Sequence, residues 1–267
     1  MRVSCIIPTR NREELVCRAI ASVLAQKVPV AELIVVDDGS TDSTAELIAR
    51  SFSDCRVVTL PGHGPGPARN AGAEAATGDV LMFLDSDDVW LSDHVSALVQ
   101  TLSRGYSVAY GVTLTIDQVS GGEFLIPEQG QGREGQCLEF LARWCFLVPS
   151  SFAVRREAFS ASGGFPACGF GEDWAFFVRI AGLYPFGFCG QQPITLRYLH
   201  AGSLCNGAGA ERIAQALDGV SQALAASGAS LSALAGFAEI VSWTREQGTD
   251  WQTIQEWYVS LQQEDLV

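Results

Sequence analysis

The first hundred residues alternate between short, continuously apolar runs and longer segments with helical spacing. ELIVV at 32–36 and VLMFL at 80–84 are apolar at nearly every position, which is typical of strands buried on both faces. Between such runs, apolar residues recur every three or four positions, as in 12–26, which indicates helices. The alternation predicts a mostly parallel sheet flanked by helices. The predicted strands are 2–7, 32–36, 56–60 and 79–84, and the predicted helices are 12–26, 43–51, 67–76 and 91–102.

The pattern becomes looser after about residue 105. We predict extended segments at 107–116, 123–127, 150–154, 186–189 and 194–200, with helices at 139–145, 155–160 and 172–181. The tail from residue 211 is predicted to be mostly helical, with a break at Ser227–Gly228. The chain is therefore divided into one α/β domain at 1–207, with halves at 1–104 and 105–207, and a C-terminal helical extension at 208–267.

Composition excludes several classes of function. The chain has 267 residues and a formal net charge of −13, and such a surface repels nucleic acid and anionic membranes. No apolar window approaches the ~20 residues that span a bilayer, and the apolar run before Pro8 is too short for a signal peptide. We expect a soluble, cytoplasmic protein without a nucleic-acid partner, and peripheral membrane contact stays open. The eight cysteines form no CxxC pair, which favours buried thiols over disulfides or zinc.

Three polar clusters follow predicted strands. They are PTRN at 8–11, DDGS at 37–40 and DSDD at 85–88. Right-handed crossovers bring the carboxyl ends of parallel strands to one edge of a sheet, and ligands bind at that edge. We therefore expect the three clusters to line one ligand site.

The DSDD cluster is the strongest candidate for a metal site. Three carboxylates within four residues repel one another, and a divalent cation relieves that repulsion. Magnesium and manganese favour carboxylates together with phosphate oxygens. The alternative is a solvated turn that caps a helix. The buried strand directly before the cluster favours the metal site.

The DDGS cluster and the glycine-rich loop GHGPGPARNAG at 62–72 are candidates for nucleotide binding. An aspartate in DDGS can accept hydrogen bonds from a nucleobase or ribose, and the alternative is a turn with a helix cap. The helix that follows the glycine-rich loop favours anions at its N-terminus, and Arg69 can pair with phosphate. The alternative for this segment is an ordinary irregular loop.

Two further candidates come from the second half of the chain. Glu172 and Asp173 open a helix, where the helix dipole alone favours acids, although a buried carboxylate there can serve as a general base. His200 follows an apolar strand and suits either a metal or phosphate contact or a structural role. Arg197 lies on the same strand, and the sequence leaves open whether it faces the site or solvent.

Taken in order along the chain, these segments resemble the family-2 inverting glycosyltransferases. SCIIPTRNREELVCRAIASVLAQ is similar to the family's opening strand and helix, and LIVVDDGSTDST to its second strand and base-binding aspartate. GPGPARNAGAEAATGDVLMFLDSDDVW is similar to its donor loop and DXD motif. The segment SSFAVRREAFSASGGF resembles the part of the family that precedes the acceptor site. GEDWAFFVRIAG resembles the family's ED motif, and LRYLHAGSLCN resembles its closing strand. The resemblance covers about 3–206 and implies the GT-A (Rossmann-like) fold of the nucleotide-diphospho-sugar transferase superfamily.

The resemblance implies a nucleotide-binding half at 1–104 and an acceptor half at 105–207. Position 10 is arginine where many relatives carry an aromatic residue that stacks on the base, and an arginine plane can also stack. The residues assigned to the nucleotide pocket are Pro8, Thr9, Arg10, Asn11, Asp37, Asp38, Arg69, Asp85 and Ser86.

The resemblance also implies the metal ligands and the catalytic pair. A Mn or Mg ion would be bound by Asp87, with Asp85 and His200 as further ligands, and Asp88 is a second candidate. Asp173 would be the catalytic base, with Glu172 helping to bind the acceptor. We also expect Trp174 to stack on the acceptor.

The predicted function is metal-dependent, inverting transfer of a sugar from a nucleotide-diphosphate sugar, UDP-linked, to a hydroxyl acceptor in glycan or polysaccharide biosynthesis. The acceptor can be a glycan, a lipid-linked molecule or a small molecule, and the protein can form a homodimer. Two alternatives stay open. One is a nucleotidyltransferase that makes nucleotide sugars, although the chain lacks the usual glycine-rich opening followed by a basic residue. The other is a glycosyltransferase-like protein that binds nucleotide sugars without turnover.

Overall fold

The structure is a computed structural model that describes residues 1–203 and 209–247. Strands and helices alternate through most of it, as the hydrophobic pattern predicts. The strands are β1 Val3–Thr9, β2 Glu32–Asp37, β3 Arg56–Thr59, β4 Val80–Phe83, β5 Val89–Trp90, β6 Val108–Asp117, β7 Glu123–Ile126, β8 Phe152–Arg155 and β9 Phe186–Leu199. The helices are α1 Glu13–Leu24, α2 Thr44–Ser51, α3 Pro65–Ala75, α4 His94–Ser103, α5 Leu138–Arg143, α6 Arg156–Ala161, α7 Glu172–Ala181, α8 Ala210–Ser227 and α9 Leu231–Gln247.

The described strands form one sheet in the order β3-β2-β1-β4-β8-β6-β9-β5, with β7 paired to β6. The strands β1 to β4 are parallel to one another. β8 is antiparallel to both β4 and β6, so β6 and its parallel neighbour β9 point in the same direction as β1 to β4. The predicted α/β fold with a mostly parallel sheet is confirmed.

The sheet is buried on both faces. Successive residues of one strand enter different apolar layers, because side chains alternate across a strand. In β1, Ile6 joins the layer under α3 and α5 to α9, whereas Cys5 and Ile7 join the layer under α1, α2 and α4. The continuous apolar runs of the sequence are thus explained by burial on two sides.

Two strand predictions differ from the structure. The segments 186–189 and 194–200 are one strand, β9, which pairs with β6 across a register shift. Gly190, with φ of 113°, lies in the part that interrupts the apolar pattern. The two-residue strand β5 was not predicted because it is too short to show a period, and its pairing with Thr195 and Leu196 is a tertiary contact.

The C-terminal helices pack on the second half of the domain. α8 lies against α7 and α9 against α5, and Val220 and Leu224 of α8 belong to an apolar layer of the sheet. α8 is followed by Gly228 with φ of 64°, the left-handed residue that commonly ends helices, so the predicted break is confirmed. The rest of the predicted extension, 248–267, lies outside the described residues. Over 1–203 and 209–247, the structure has no helix with the length and hydropathy that crossing a bilayer requires.

Helix α3 approaches the sheet so closely that a side chain at Gly72 has no room. An ideal Cβ there would lie 2.3 Å from Cγ2 of Ile6 and 3.0 Å from Cγ2 of Val36. We expect Gly72→Ala to lower the free energy of unfolding by about 1–3 kcal/mol, because overpacking a core outweighs the better helix propensity of alanine. Urea denaturation monitored by circular dichroism measures the change.

Gly219, inside α8, is the matched control. An ideal Cβ there would lie 3.5 Å from both Cβ of Ala175 and Sγ of Cys168, which is ordinary contact. Gly219→Ala should be neutral or stabilising by up to about 1 kcal/mol. If Gly72→Ala were as stable as Gly219→Ala, the close approach of α3 would not limit stability.

Candidate active site

The loops after β1 and β2 meet at the carboxyl edge of the sheet and form one side, the wall, of the candidate site, which is called the cleft below. Asn11, with φ of 52°, accepts a hydrogen bond from the Thr41 amide through its side-chain oxygen at 2.8 Å, and its own amide donates to Oγ of Ser40 at 3.0 Å. The Asp38 amide donates to the Thr9 carbonyl at 2.8 Å. The structure therefore joins PTRN and DDGS into a single surface, with Pro8 and Thr9 buried at the end of β1.

The two aspartates of DDGS both bind backbone amides. Asp38 is buried, and its two carboxylate oxygens accept hydrogen bonds from the amides of His63 and Gly64 at 2.8 and 2.7 Å. Asp37 accepts from the Ser40 amide at 3.0 Å and so closes the turn after β2. Asp38 thereby attaches the glycine-rich loop to the wall.

Arg10 lies on the exposed side of this wall. Its Nη1 is 3.3 Å from the point that a Cβ on Gly62 would occupy, so the guanidinium packs against the glycine-rich loop. The side chain is exposed, which leaves the guanidinium accessible from the cleft. The structure thus places Arg10 where the loops after β1 and β3 meet.

Arg69 connects the end of β4 with the start of α7. Its Nη2 donates to Oδ1 of Asp85 at 2.6 Å, and its Nη1 donates to Oε1 of Glu172 at 2.7 Å. The Arg69 side chain is only 4% exposed, and its guanidinium lies over the Phe165 ring at 5.1 Å from the centroid. Both terminal nitrogens are engaged by carboxylates, a role that the sequence did not reveal.

The charges around Arg69 shift several pKa values. Burial disfavours the charged guanidinium, but the carboxylates of Asp85 and Glu172 outweigh burial and hold the pKa of Arg69 above its ordinary value. Burial, reinforced by the charge of Asp173, raises the pKa of Glu172 to about 7, although Arg69 acts in the opposite direction. Burial also raises the pKa of Asp173, against the opposing effects of Arg69 and of the Trp174 amide.

Glu172 and Asp173 face different surroundings. Glu172 is buried and points to Arg69, whereas Asp173 is partly exposed and accepts a hydrogen bond from the Trp174 amide at 2.8 Å. The expectation that Trp174 stacks on an acceptor is wrong. Its ring is buried in the core and its Nε1 donates to the Leu141 carbonyl at 2.6 Å.

The DSDD cluster is a turn between β4 and β5. The Asp88 amide donates to the Asp85 carbonyl at 3.0 Å, and the next helix begins only at His94, so the cluster does not cap a helix. The Asp85 and Asp87 side chains are 30% and 22% exposed, whereas Asp88 is 3% exposed and Ser86 is also buried. The turn therefore presents two of its three carboxylates to the cleft.

Asp88 points into the protein. Its Oδ2 accepts a hydrogen bond from Oγ of Ser150 at 2.5 Å, and its Oδ1 accepts from the Tyr198 amide at 3.3 Å. Burial, followed by the negative charges of Asp87 and Asp85, raises the pKa of Asp88 well above its ordinary value. Arg197 opposes this shift, and its charge also lowers the pKa of Asp173. Arg197 thus acts on two acids of the cleft.

His200 reaches the same turn from the end of β9. Its Nε2 lies 3.1 Å from Oδ2 of Asp87, and its Nδ1 accepts a hydrogen bond from the Gly202 amide at 3.1 Å. Because Nδ1 is an acceptor, Nε2 carries the proton in this arrangement and donates to Asp87. Two arginines of the α1 region, which the sequence did not single out, secure this corner. Arg18 donates to the Asp87 carbonyl at 2.8 Å and Arg12 to the Gly202 carbonyl at 2.9 Å.

Asp87 offers a carboxylate to a divalent metal that also binds a diphosphate, whereas His200 would first have to move its proton from Nε2 to Nδ1 and so give up its hydrogen bonds with Asp87 and the Gly202 amide. Within 1–203 and 209–247 there is no group of three or more His, Cys, Asp or Glu side chains arranged to hold a metal. Magnesium in nucleotide sites commonly takes one or two carboxylates and completes its shell with phosphate oxygens and water. The partly exposed carboxylate of Asp87 is a donor of the kind that manganese and magnesium accept, and the imidazole of His200 becomes one only in its other tautomer.

A comparison with protein families gives one match, to the model described as Glycosyl transferase family 2, over residues 4–163. Two relatives illustrate the sequence similarity. An uncharacterized glycosyltransferase of Nostoc sp. (alr2836) is 34% identical over 168 residues, which are 59% of this chain and 52% of the relative. The Escherichia coli protein WfgD, named a UDP-Glc:alpha-D-GlcNAc-diphosphoundecaprenol beta-1,3-glucosyltransferase, is 35% identical over 132 residues, which are 48% of this chain and 52% of WfgD. The chain therefore matches about half the length of these relatives.

Solved structures give the same fold. TarS 1–349 from S. aureus, crystallised with UDP, superposes with a TM-score of 0.69 over 91% of this chain and 72% of that chain, at 18% identity. At that identity the similarity concerns the fold, and it confirms the GT-A prediction. The family model covers more than half of the sequence and includes the three polar clusters of the carboxyl edge. The chain belongs to glycosyl transferase family 2.

Proposed function

We propose that this protein is a metal-dependent, inverting glycosyltransferase that moves a sugar from a UDP-sugar to a hydroxyl acceptor in glycan or polysaccharide biosynthesis. The observation that carries the proposal is the pair of hydrogen bonds from Arg69 to Asp85 and Glu172. These bonds bring two parts of the proposed site together. One is the DSDD turn, proposed to bind the donor diphosphate, and the other is the pair Glu172 and Asp173, proposed to act on the acceptor. The name of WfgD, a UDP-Glc-dependent glucosyltransferase, and the UDP bound to TarS support the donor class.

The nucleotide is proposed to bind along the wall formed by the loops after β1 and β2. An ionised carboxylate has about four acceptor positions, so Asp38 keeps capacity for a nucleobase N–H after binding two loop amides. The exposed Arg10 guanidinium offers a flat, cationic surface on which a base can stack. Asp85, at the cleft end of β4, is the group proposed to contact the ribose.

The diphosphate is proposed to bind beside Asp87 and His200, which would hold the metal. When bound, the metal supplies positive charge that neutralises the departing diphosphate. Arg197, on the strand that leads to His200, is proposed to add positive charge that favours the diphosphate, and its charge opposes the raised pKa values of Asp88 and Asp173.

Asp173 is the proposed general base. It would take the proton of the acceptor hydroxyl as that oxygen forms a bond to the anomeric carbon. The bond between this carbon and the diphosphate oxygen breaks in the same step, and the diphosphate leaves with the electron pair. A single attack from the opposite face inverts the anomeric configuration. Glu172, bound to Arg69, would orient the start of α7 and the acceptor, and holding both substrates in place supplies much of the acceleration.

A donor screen tests the proposed function. We expect a UDP-sugar with Mn²⁺ to raise the melting temperature, because a ligand at 100 times its Kd stabilises the folded state by about 2.7 kcal/mol. The stabilising donor should then be consumed with release of UDP, EDTA should abolish that activity, and added Mn²⁺ or Mg²⁺ should restore it. Release of pyrophosphate from UTP and a sugar 1-phosphate, in a parallel assay, would favour a nucleotidyltransferase. Binding without consumption would indicate a non-catalytic protein, and full activity in EDTA would remove the metal from the mechanism.

Asp173→Asn tests the base. The variant should bind UDP with a Kd close to that of the wild type and lose about 10²–10⁴-fold in kcat, because asparagine cannot accept the proton. Isothermal titration with UDP and a UDP-release assay measure the two quantities. Asp54→Asn, in the exposed loop before β3, is the control and should keep both values. Normal turnover by Asp173→Asn would assign the base to another residue.

The acidic pair also predicts the pH dependence of activity. Burial raises the pKa of Glu172 to about 7 and shifts the pKa of Asp173 upward. A base acts only when ionised, so the acidic limb of kcat/KM should lie at a higher pH than that of an exposed aspartate. Protonation of Glu172, whose pKa is about 7, should weaken its contact with Arg69 and lower kcat/KM further as the pH falls. The residual activity of Asp173→Asn should lose part of this dependence. An acidic limb near pH 4, typical of an exposed carboxylate, would contradict the role of the pair.

A further inference from the structure

Ser150 makes two hydrogen bonds to the DSDD turn through one hydroxyl. It lies in a short 3-10 turn, Pro149–Ser151, directly before β8, and it is fully buried. Its Oγ accepts a hydrogen bond from the Asp85 amide at 3.1 Å and donates to Oδ2 of Asp88 at 2.5 Å. The hydroxyl therefore contacts both the first and the last residue of the turn.

The carbonyl of Ser150 secures the strand that leaves the turn. It accepts a hydrogen bond from Nε1 of Trp90 at 2.9 Å and another from Oγ1 of Thr195 at 3.1 Å. Trp90 lies in β5, and Thr195 is its pairing partner in β9. One residue thus connects the turn, the strand after it and the strand beside it.

On the side away from the Asp88 carboxylate, the network is surrounded by buried, uncharged groups. The Trp90 ring stacks on the ring of His94 with centroids 4.0 Å apart. Nδ1 of His94 lies 3.2 Å from the Ile194 carbonyl and 3.1 Å from Oγ1 of Thr195, and burial lowers the pKa of His94 to about 3. A neutral support of this kind keeps its hydrogen bonds over the range of pH in which enzymes work.

Ser150 holds the turn on its inner side, and the Asp85 and Asp87 carboxylates have their partners elsewhere. With the Asp88 carboxylate held inward, Asp87 meets His200 and Asp85 meets Arg69 on the other side of the turn. We propose that Ser150 is a positioning residue: it keeps the DSDD turn in the conformation in which Asp85 and Asp87 can bind the donor diphosphate and its metal. This inference rests on the proposed function, because the use of the turn comes from it. Ser150 itself, fully buried, acts through the turn.

Two alanine variants separate positioning from general loss of packing. Ser150→Ala removes the hydroxyl that contacts the turn. Ser151→Ala is the matched control, because Ser151 is the neighbouring residue, is also fully buried, and donates its hydroxyl to the Val148 carbonyl of its own turn at 3.2 Å. Residues that orient metal ligands typically change metal affinity or activity by about 10–100-fold when mutated. We expect Ser150→Ala to raise the Mn²⁺ concentration for half-maximal activity by that factor, and Ser151→Ala to leave it within about twofold.

Two measurements without turnover complete the test. Amide hydrogen exchange of the peptide that contains the DSDD turn should be faster in Ser150→Ala than in Ser151→Ala, because the Asp85 amide loses its acceptor. Mn²⁺ binding in the presence of UDP, followed by electron paramagnetic resonance, should weaken only in Ser150→Ala. Wild-type exchange and Mn²⁺ affinity in a folded Ser150→Ala would overturn the proposal, as would equal defects in both variants.

A third variant keeps the proposal testable if Ser150→Ala fails to fold. If Ser150→Ala does not unfold cooperatively, Ser150→Cys replaces the hydroxyl with a thiol that is a weak donor and a weak acceptor. Exchange at the turn should then lie between the values of the wild type and of an unprotected amide, and a Ser150→Cys variant that matches the wild type would overturn the proposal. The exchange result does not depend on the donor. A wild-type protein without UDP-sugar turnover would therefore reject the proposed function alone.

Discussion

The organisation of the cleft depends on one buried cation. Arg69 is 4% exposed and holds two carboxylates that belong to distant parts of the chain. Taking a guanidinium out of water is unfavourable, and it is tolerated where partners in good geometry satisfy the charge. The planar fork of arginine can donate to two acids in different directions, which a lysine cannot do with the same rigidity. The distance between the carboxylates of Asp85 and Glu172 is therefore fixed by the width of the guanidinium that both contact.

The electrostatic problem posed by three adjacent carboxylates is solved by giving each its own partner. Asp85 is bound by Arg69 and Asp87 by His200, and both remain partly exposed to the cleft. Asp88 is buried and accepts hydrogen bonds from Ser150 and the Tyr198 amide, and burial raises its pKa, which disfavours its charged form. The turn can hold like charges close together because their environments differ.

The sequence predicted the parts of the fold that have a local cause. Continuous apolar runs such as 32–36 identified buried parallel strands, and the position of polar residues after them located the cleft. Tertiary contacts left no such pattern. Ser150 is one of several serines without a motif of its own, and β5 exists only because β9 lies beside it. Trp174 looked suitable for a sugar because it is aromatic and follows the acidic pair, but helix α7 turns that ring into the core.

The boundary of the family match runs through the cleft. The matched residues, 4–163, contain Arg69, Asp87 and Asp88, and each of these also has a partner beyond that boundary, in Glu172, His200 and Tyr198 respectively. Each of these contacts crosses from the matched part of the chain to the part that follows it. The part after the boundary can therefore differ in sequence, provided that it still supplies a hydrogen-bond partner for Arg69, Asp87 and Asp88. Such a requirement restricts the side chains of Glu172 and His200 alone, because Tyr198 donates through its backbone amide, and it leaves the surrounding surface free to differ.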